Sequence, residues 1–563
     1  MKTLLKNGFV VNVFTDEVER ADVLMENDTI IGVGTYENED ADVTEDVTGK
    51  YICPGFIDGH IHIESTTLTP CEMAKLCLPC GTTSIVADPH EIANVCGVDG
   101  IEYTLQASEG LPLHVYITLP SCVPATPFDE SGAVLTADTI APFYGRERVI
   151  GLAEMMNYPG VLFKDKDVLQ KLQDAKSHGK AIDGHAPFLS GRDLDAYIAT
   201  GIQSDHECSN LDEAKEKLKK GQWIMIRQGT AARNLQDLLP LFDEPYSRRC
   251  LLVTDDRHPA DLANEGHIDN CIRLAVKLGK SPVTAIRMAT LQAAQCFRLP
   301  YVGAVAPGYR ADVLVLNDLT TIDVCDVYSA GVKVVEEKKL APIASPKVDE
   351  RLKQKVYHSF HTKPITAQSF VIAPQSKKCR VIEIIEGQLV TKERIETIDW
   401  ETNNGVNVDK DILKLAVIER HNGTGHIGLG FIHGIGLQRG AIASSVSHDS
   451  HNVIVIGTNA EDMAVATNRI CAVGGNVVVA DGQILAEMPL PVAGLMSELS
   501  GKEVAKANET VRETVRKIGV KENIEPFMNM AFVSLPVIPS LKMTTQGLVD
   551  VDAFQRVSLY VEE

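Results

Sequence analysis

The sequence has no long run of apolar residues. Hydrophobic residues make up 44% and charged residues 23% of its 563 positions, but no stretch approaches the roughly 20 consecutive apolar residues that a membrane-spanning helix needs. The opening segment, MKTLLKNGFVVNVFTDEVERAD, soon meets acidic residues and lacks a small-residue cleavage pattern, so no secretory signal is expected. We therefore expect a soluble, cytoplasmic protein.

Positive charge is scarce as well. The 54 lysines and arginines are outnumbered by 76 aspartates and glutamates, which gives a formal net charge of −22. Nucleic acids and anionic membranes both favour clustered Lys and Arg. We therefore expect neither nucleic acid nor membrane as a main partner, and expect a small-molecule ligand.

The cysteines show no pairing pattern. There are 13 of them, an odd number, scattered along the chain. With no export signal expected, reduced thiols packed as small apolar side chains are the leading interpretation. Cys77 and Cys80 form a lone C-x-x-C, and without a second pair this motif indicates a helix-to-strand junction rather than a redox or metal site.

Alternating strand and helix patterns predict an α/β protein containing a TIM-type (β/α)8 barrel. Between PGFIDGHIH and VTDD, about eight apolar, β-branched runs alternate with helical spacers such as KDVLQKLQDAKSHG. This alternation is typical of parallel β/α units, and eight strands are what a closed barrel requires. Because such a barrel takes ~250 residues, the remaining length predicts further domains.

The flanking segments predict two further regions. Residues 1–52 and about 301–345 contain short strand patterns, whereas residues 53–300 contain the barrel. A charged, Pro-interrupted stretch near residue 345 is predicted to be a linker. Residues 346–563 mix strand and helix patterns and are long enough for a C-terminal α/β domain.

Polar side chains fall where the predicted barrel strands end. The C-terminal ends of barrel strands are the places where catalytic residues converge. These residues are His60, His62, Asp88, His90, Glu91, Glu154, His185, His206, Asp255 and Asp256.

The spacing of this set predicts a metal centre. His60 and His62 stand at i and i+2 of a strand, so they point the same way and can chelate one ion through neutral imidazole. Asp255 can complete that site, and Glu154 can bridge to a second ion.

His185 and His206 can hold this second ion. A single histidine near a strand is more often a hydrogen-bonded structural residue than a ligand. Four histidines, a glutamate and an aspartate that each close an apolar strand are difficult to place in a core, because buried charges must be paired or metal-bound.

Several motifs resemble the amidohydrolase superfamily. They are PGFIDGHIHIEST, GLAEMMN, DGHAP, SDHE and TDDRHP, while VADPHEIANVCG and GFIHGIGLQRGAIASSVSHDSHNVIVIG are similar to bacterial adenine deaminases within it. The resemblance spans nearly the whole chain. It implies a β-sandwich domain built from residues 1–52 together with about 301–345, and two divalent metal ions, manganese or iron. It also implies that Glu154 takes the bridging place often held by a carboxylated lysine.

The implied reaction is hydrolytic deamination of adenine to hypoxanthine and ammonia, in purine salvage. A hydroxide held between two divalent cations is a strong nucleophile at neutral pH and would attack C6. Protonation of ring atom N1 is then needed, for which Glu207 is the first candidate and Glu91 the second, with His90 as a weaker neighbour. Asp255 can accept the proton of the attacking hydroxide and pass it to the leaving ammonia.

Two further motifs resemble the signatures of other protein classes but match them only in part. His62-Ile63-Glu64 matches the first half of the H-x-E, P-C-x-x-C signature of zinc-dependent base deaminases, but the runs after Pro70 and Pro79 lack the second cysteine. The G-x-G-x-x-G at 423–428 is followed by a glycine-rich run instead of the helix that would hold a dinucleotide.

The polar run SSVSHDSHN, residues 444–452 of the predicted C-terminal domain, is expected near the barrel mouth and has two interpretations. Its residues His448, Asp449 and His451 can contact a substrate or a further metal ion, or can belong to a solvated turn.

Two other functions compete with deamination. Another amidohydrolase reaction, that of a deacetylase or cyclic amidohydrolase, would use the same metals, and Arg192, Arg227 and Arg233 can serve a sugar-phosphate substrate. A non-catalytic scaffold is also conceivable, but it would be expected to lack some of the six ligands. A homodimer is the default assembly, since cyclic pairs are the commonest oligomers.

Overall fold

The computed structural model describes residues 1–230 and 232–561 and divides them into two compact units. The first unit contains residues 1–89, 104–121 and 136–347. The second contains residues 90–103, 122–135 and the described residues from 348 to 561. The helices in chain order are α1 (Pro70–Cys77), α2 (His90–Cys96), α3 (Val98–Ala107), α4 (Ala137–Ile140), α5 (Tyr158–Leu162), α6 (Lys166–Ser177), α7 (Gly191–Ala199), α8 (Leu211–Lys219), α9 (Pro259–Asn264), α10 (Ile268–Lys277), α11 (Pro282–Met288), α12 (Leu291–Cys296), α13 (Glu350–Tyr357), α14 (Ala460–Val473), α15 (Gly501–Lys517) and α16 (Pro526–Val533).

The first unit contains the barrel and a mixed sheet. Its strands are β1 (Lys2–Asn12), β2 (Glu17–Glu26), β3 (Thr29–Gly34), β4 (Val43–Asp46), β5 (Tyr51–Pro54), β6 (Phe56–Ile61), β7 (Thr82–Ala87), β8 (His114–Leu119), β9 (Val149–Met155), β10 (Ala181–Gly184), β11 (Ser204–Asp205), β12 (Trp223–Arg227), β13 (Cys250–Val253), β14 (Val313–Leu316), β15 (Val324–Ser329), β16 (Val332–Glu336) and β17 (Lys339–Leu340).

Strands from both flanks of the barrel share one sheet. In the described part of the chain this sheet has nine strands in the order β17-β16-β15-β14-β5-β1-β2-β3, with β4 added beside β1. The join is the antiparallel pair of β5 and β14, in which Cys53 lies opposite Leu314. The contribution of both flanks agrees with the expectation from the sequence, and the finer layering as a sandwich stays a prediction.

The eight predicted barrel strands all form, and they run parallel. The strands β6 to β10 make one five-stranded sheet and β11 to β13 a three-stranded sheet. Backbone hydrogen bonds connect the two sheets at both sides, from Gln203 N to Ile182 O (3.0 Å) and from Asp255 N to His60 O (2.9 Å). The TIM-like barrel predicted from the sequence is therefore confirmed.

Burial of the barrel strands explains where polar residues are tolerated. Strands β7, β10 and β13 are buried along their whole length, as expected for parallel strands that are covered on both faces. Most buried strand positions are apolar, although Ser84 and Asp183 are buried within strands as well, and the charged side chains of the candidate site lie at or near the carboxyl ends.

The second unit contains the predicted C-terminal domain. Its sheet of eight strands has the order β19-β18-β21-β20-β23-β22-β24-β25, and a separate sheet contains β26, β27 and β28. The strands are β18 (Lys378–Ile384), β19 (Thr391–Thr397), β20 (Leu413–Ile418), β21 (Ile427–His433), β22 (Ala441–Ser444), β23 (Val453–Gly457), β24 (Asn476–Ala480), β25 (Gln483–Met488), β26 (Leu541–Thr544), β27 (Gly547–Asp550) and β28 (Gln555–Val557).

Helix α14 covers the large sheet of this unit. Its buried side chains, including Met463 and Ile470, belong to one apolar core with Val455 of β23 and Val477 of β24. The Asn459 side chain accepts a hydrogen bond from Asp462 N (2.7 Å) and so caps the start of the helix. Among residues 1–230 and 232–561, none of the helices has the length and apolar character that a membrane-spanning segment requires.

Candidate metal centre and active site

His60, at the end of β6, presents one ring nitrogen to the barrel mouth. Its Nδ1 donates to Asp183 Oδ2 at 2.9 Å. Burial opposes ionisation of Asp183, but the hydrogen bond and charge of His60 hold the pKa of this carboxyl below its usual range. Nε2 of His60 is buried and has no hydrogen-bond partner within residues 1–230 and 232–561. A histidine fixed in this way by a carboxylate is the usual form of a metal ligand.

The His62 ring is oriented in a similar way, by a hydrogen bond to a backbone carbonyl group. Its Nδ1 donates to Asp88 O at 3.1 Å, so the lone pair of the neutral ring lies on Nε2. This atom is 3.1 Å from Asp255 Oδ1 and 3.4 Å from Glu154 Oε1. His60, His62 and Asp255 thus present their ligand atoms to one point.

Glu154, near the end of β9, lies between this group and a second pair of histidines. Its Oε1 faces His62, whereas its Oε2 is 2.6 Å from His185 Nδ1 and 3.1 Å from His206 Nε2. The two carboxylate oxygens are therefore turned toward different histidine groups, which is the arrangement that a bridging ligand needs.

The residues fit a divalent metal centre. His60 with Glu154 and His206, His60 with His62 and Asp255, and His185 with His206 and Glu207 each bring three ligand atoms within 4.8 Å of one another. Imidazole and carboxylate suit several divalent transition metals. Together with the unpartnered Nε2 of His60, this donor set identifies a divalent metal site.

The carboxylates of the site are ionised. Burial would raise the pKa of Glu154, but His185 and His206 hold it well below its usual range. Burial likewise opposes ionisation of Asp255, and the charge of Arg227 and the contact with His62 bring its pKa well below normal. The site therefore offers anionic oxygen ligands over the whole physiological pH range.

His185 is expected to make metal binding dependent on pH. Burial lowers its pKa, but Glu207 and Glu154 outweigh this and raise the pKa to about 9. The metal-free ring is therefore protonated at pH 7, and an ion can bind only when the proton leaves. Metal affinity should rise with pH and level off near pH 9.

Calorimetric metal titrations at pH 6, 7 and 8, in buffers of different ionisation enthalpy, measure this proton release. The variant His185→Asn, titrated in parallel, should release fewer protons at pH 7. Equal proton release from both proteins would contradict the assignment.

Arg227, at the end of β12, is a residue that a sugar-phosphate substrate could use, and in the structure it is paired with two acids of the site. Its Nη1 donates to Glu207 Oε1 and, at 2.5 Å, to Asp255 Oδ2. Burial would raise the pKa of Glu207, but Arg227, His185 and His206 lower it to about 2. Glu207 is thus ionised in the resting site.

Sequence reasoning missed the residues that support the ligands. Asp183 holds His60, and Asp205 accepts hydrogen bonds from Ala186 N (3.0 Å) and Glu207 N (2.7 Å). Both acids stand one or two positions before a ligand, in AIDGH and QSDH. An acid so close to a strand-end histidine is the signal that could have found them.

Replacing Asp183 by asparagine should weaken metal binding. The amide can present either its oxygen or its NH2 group to His60, so the tautomer is no longer fixed. Loss of such a supporting partner typically costs about 10- to 100-fold in metal affinity. Competition with a chelating dye measures this, with Asp193→Asn on the exposed face of α7 as control. Unchanged affinity in Asp183→Asn would show that His60 needs no such support.

A second polar cluster lies within the second unit. Glu91, in the first turn of α2, places Oε1 3.1 Å from His448 Nδ1, and His451 offers a third ligand atom within 4.8 Å. His90 and Asp449 are 4.0 Å apart. Ser447 N donates to His451 Nδ1 (3.2 Å), so the proton of neutral His451 lies on Nε2. Nε2 of His451 is buried and has no hydrogen-bond partner within residues 1–230 and 232–561.

Comparison with known proteins identifies the family. The Amidohydrolase family profile matches residues 51–343, and the profile of the Adenine deaminase C-terminal domain matches residues 388–555. A protein of Desulfatibacillum aliphaticivorans named adenine deaminase is 46% identical over 563 residues, covering 99% of this chain and 97% of that protein. Adenine deaminase 2 of Carboxydothermus hydrogenoformans is 48% identical, covering 98% and 96%.

These matches extend over nearly the full length of each relative, and they confirm the resemblance found in the motifs. The chain therefore belongs to the adenine deaminases of the amidohydrolase family.

Proposed function

We propose that this protein hydrolyses adenine to hypoxanthine and ammonia, in purine salvage in the cytoplasm. The observation that carries the proposal is the convergence of four histidines, a glutamate and an aspartate at one end of the barrel, in a chain whose full-length relatives are named adenine deaminases. Adenine and water are then the substrates, and neither nucleic acid nor membrane is a partner. A homodimer is the proposed assembly.

Two divalent ions, manganese or iron, would be held by this set. His60, His62 and Asp255 would hold one, His185 and His206 the other, and Glu154 would bridge them. Such ions lower the pKa of bound water and so supply a nucleophile at neutral pH. The distances around Glu154 and His62 support this division.

Asp255 is proposed to act as the base. Its pKa is held well below normal, so it is ionised and able to accept the proton of the attacking hydroxide. The same carboxyl would then pass this proton to the departing ammonia.

Glu207 is the first candidate for protonating adenine N1, and Glu91 the second. Because the pKa of Glu207 is about 2, this residue would have to receive a proton before it delivers one. It would therefore act as a relay. For Glu91 we propose a role supported by His90 and by its pairing with His448. His448, Asp449 and His451 are proposed as polar contacts to the substrate.

The rival deacetylase reaction is less well supported. A sugar phosphate needs free basic groups, but Arg227 is engaged with Glu207 and Asp255, and Arg233 lies 3.4 Å from Asp261. A scaffold without chemistry would have no need for the complete ligand set.

Ammonia release tests the proposal. Protein produced with added manganese and with iron chelated should release ammonia from adenine but not from adenosine or cytosine, nor acetate from N-acetylglucosamine 6-phosphate. If fully metal-loaded protein releases no ammonia from adenine, the deaminase assignment is refuted. Release of acetate would support the deacetylase reaction.

A further inference from the structure

Arg227 connects two carboxylates with one nitrogen atom. Nη1 contacts Glu207 Oε1 and Asp255 Oδ2, and the side chain is only 12% exposed. Its backbone is fixed as well, because Arg227 N donates to Asn234 Oδ1 (2.7 Å), and Asn234 Nδ2 donates to Cys208 O (2.9 Å). The guanidinium is therefore held at a set position beside both acids.

Glu207 lies as close to the histidines as a metal ligand would. Its Oε1 is 3.5 Å from His206 Nε2 and 3.8 Å from His185 Nδ1, and the three residues form one of the groups that bring ligand atoms within 4.8 Å. Carboxylates are good ligands for the same ions as imidazole. By distance alone, Glu207 would be a further ligand.

The second carboxylate oxygen of Asp255 could likewise become an additional ligand atom. Oδ1 faces His62 at 3.1 Å and His60 at 3.8 Å, whereas Oδ2 faces Arg227. A carboxylate that turned both oxygens toward one ion would fill an extra coordination position. Structural metal sites are closed in this way, while catalytic sites keep a position open for water or substrate.

We propose that Arg227 is a positioning residue that keeps the metal centre open. The charge-assisted bonds from Nη1 hold Glu207 and Oδ2 of Asp255 outside the coordination sphere, where each would otherwise compete with water. The proposal rests on the ligand assignment of the proposed function.

Cobalt substitution tests this without substrate. The visible absorption of Co²⁺ weakens as its coordination number rises, so it reports whether Glu207 has become a ligand. In R227Q, with two Co²⁺ bound per chain, we expect weaker absorption than in the wild type. In the double variant R227Q/E207Q, where the neutral amide at position 207 is a poor ligand, the absorption should return toward the wild-type intensity.

A single variant gives an independent test that keeps Arg227 in place. E207Q should have the absorption spectrum of the wild type, because Glu207 is not a ligand while Arg227 holds it. A changed spectrum in E207Q would overturn the proposal, whether or not R227Q folds. R233Q, which alters an arginine that is 43% exposed, is the matched control for loss of charge.

Turnover separates positioning from a merely structural role. In R227Q, kcat for adenine should fall by roughly 10²-fold, the cost of a misplaced catalytic group, with little change in KM. An R227Q protein with two ions and an unaltered spectrum would refute the proposal, as would loss of metal that E207Q does not restore. Absence of adenine turnover in the wild type, with the spectra as expected, would instead refute only the proposed reaction.

Discussion

Replacing Asp255 by asparagine is expected to lower kcat for adenine by about 10²- to 10⁴-fold, the usual contribution of a positioned acid or base, while both metal ions stay bound. The amide oxygen can still face His62, as Oδ1 of Asp255 does at 3.1 Å. It cannot accept a proton, however, whereas the aspartate is ionised because Arg227 and His62 lower its pKa against the effect of burial.

Steady-state rates together with metal analysis by mass spectrometry check this result. The control is Asp243→Asn, since Asp243 is an exposed acid paired with Lys280 at 2.7 Å. If the Asp255→Asn protein keeps the wild-type kcat, Asp255 is a metal ligand only and not the base. A protein that loses its metal would leave the base unidentified, and Asp255→Glu would then be the informative variant.

Replacing Glu154 by alanine is expected to remove at least one metal ion and to abolish measurable turnover. Its two oxygens face His62 on one side and His185 with His206 on the other, so one substitution takes an anionic ligand from both positions. The loss in affinity should exceed the roughly 10- to 100-fold that supporting residues contribute.

Dialysis against a chelator followed by metal analysis measures this loss. Glu154→Asp keeps the charge but shortens the side chain by one methylene, so it should retain part of the metal. If Glu154→Ala keeps two ions through dialysis, Glu154 is not the bridge, and Glu207 becomes the next carboxylate to test.

The barrel could be predicted from the sequence because burial imposes a simple pattern. A parallel strand covered on both faces is almost wholly apolar, so the polar residue that ends each run, such as His60 or Asp255, is conspicuous. The TIM-like barrel was therefore predictable strand by strand, and the proposed ligand set follows from where these strands end.

Residues that act through other residues could not be predicted from the strand ends. Asp183 supports His60 across 123 positions, and Arg227 reaches Glu207 and Asp255 across 20 and 28 positions. Sequence spacing does not report such pairs, and a basic residue beside an active site is as compatible with a phosphate ligand as with neighbouring acids. Only the side-chain geometry decides between them.

The sequence does not indicate which compact unit every segment between barrel strands belongs to. Residues 90–103 and 122–135 lie within the stretch 53–300 that is predicted to contain the barrel, and contacts group them with the second compact unit. The helix α2 has the pattern of any barrel helix, since His90 and Glu91 precede a short apolar stretch. Periodicity shows that a helix buries one face, but not which unit it packs into.

The sheet shared by both flanks has a consequence for synthesis on the ribosome. Strand β5 pairs with β14, yet the entire barrel is translated between them. Until β14 emerges, a growing chain carries β5 as an open edge, with unpaired N–H and C=O groups that invite pairing with other nascent chains. Strand β14 thus covers the edge that β5 leaves open, and a chain interrupted before residue 313 would leave the ribosome with this edge exposed.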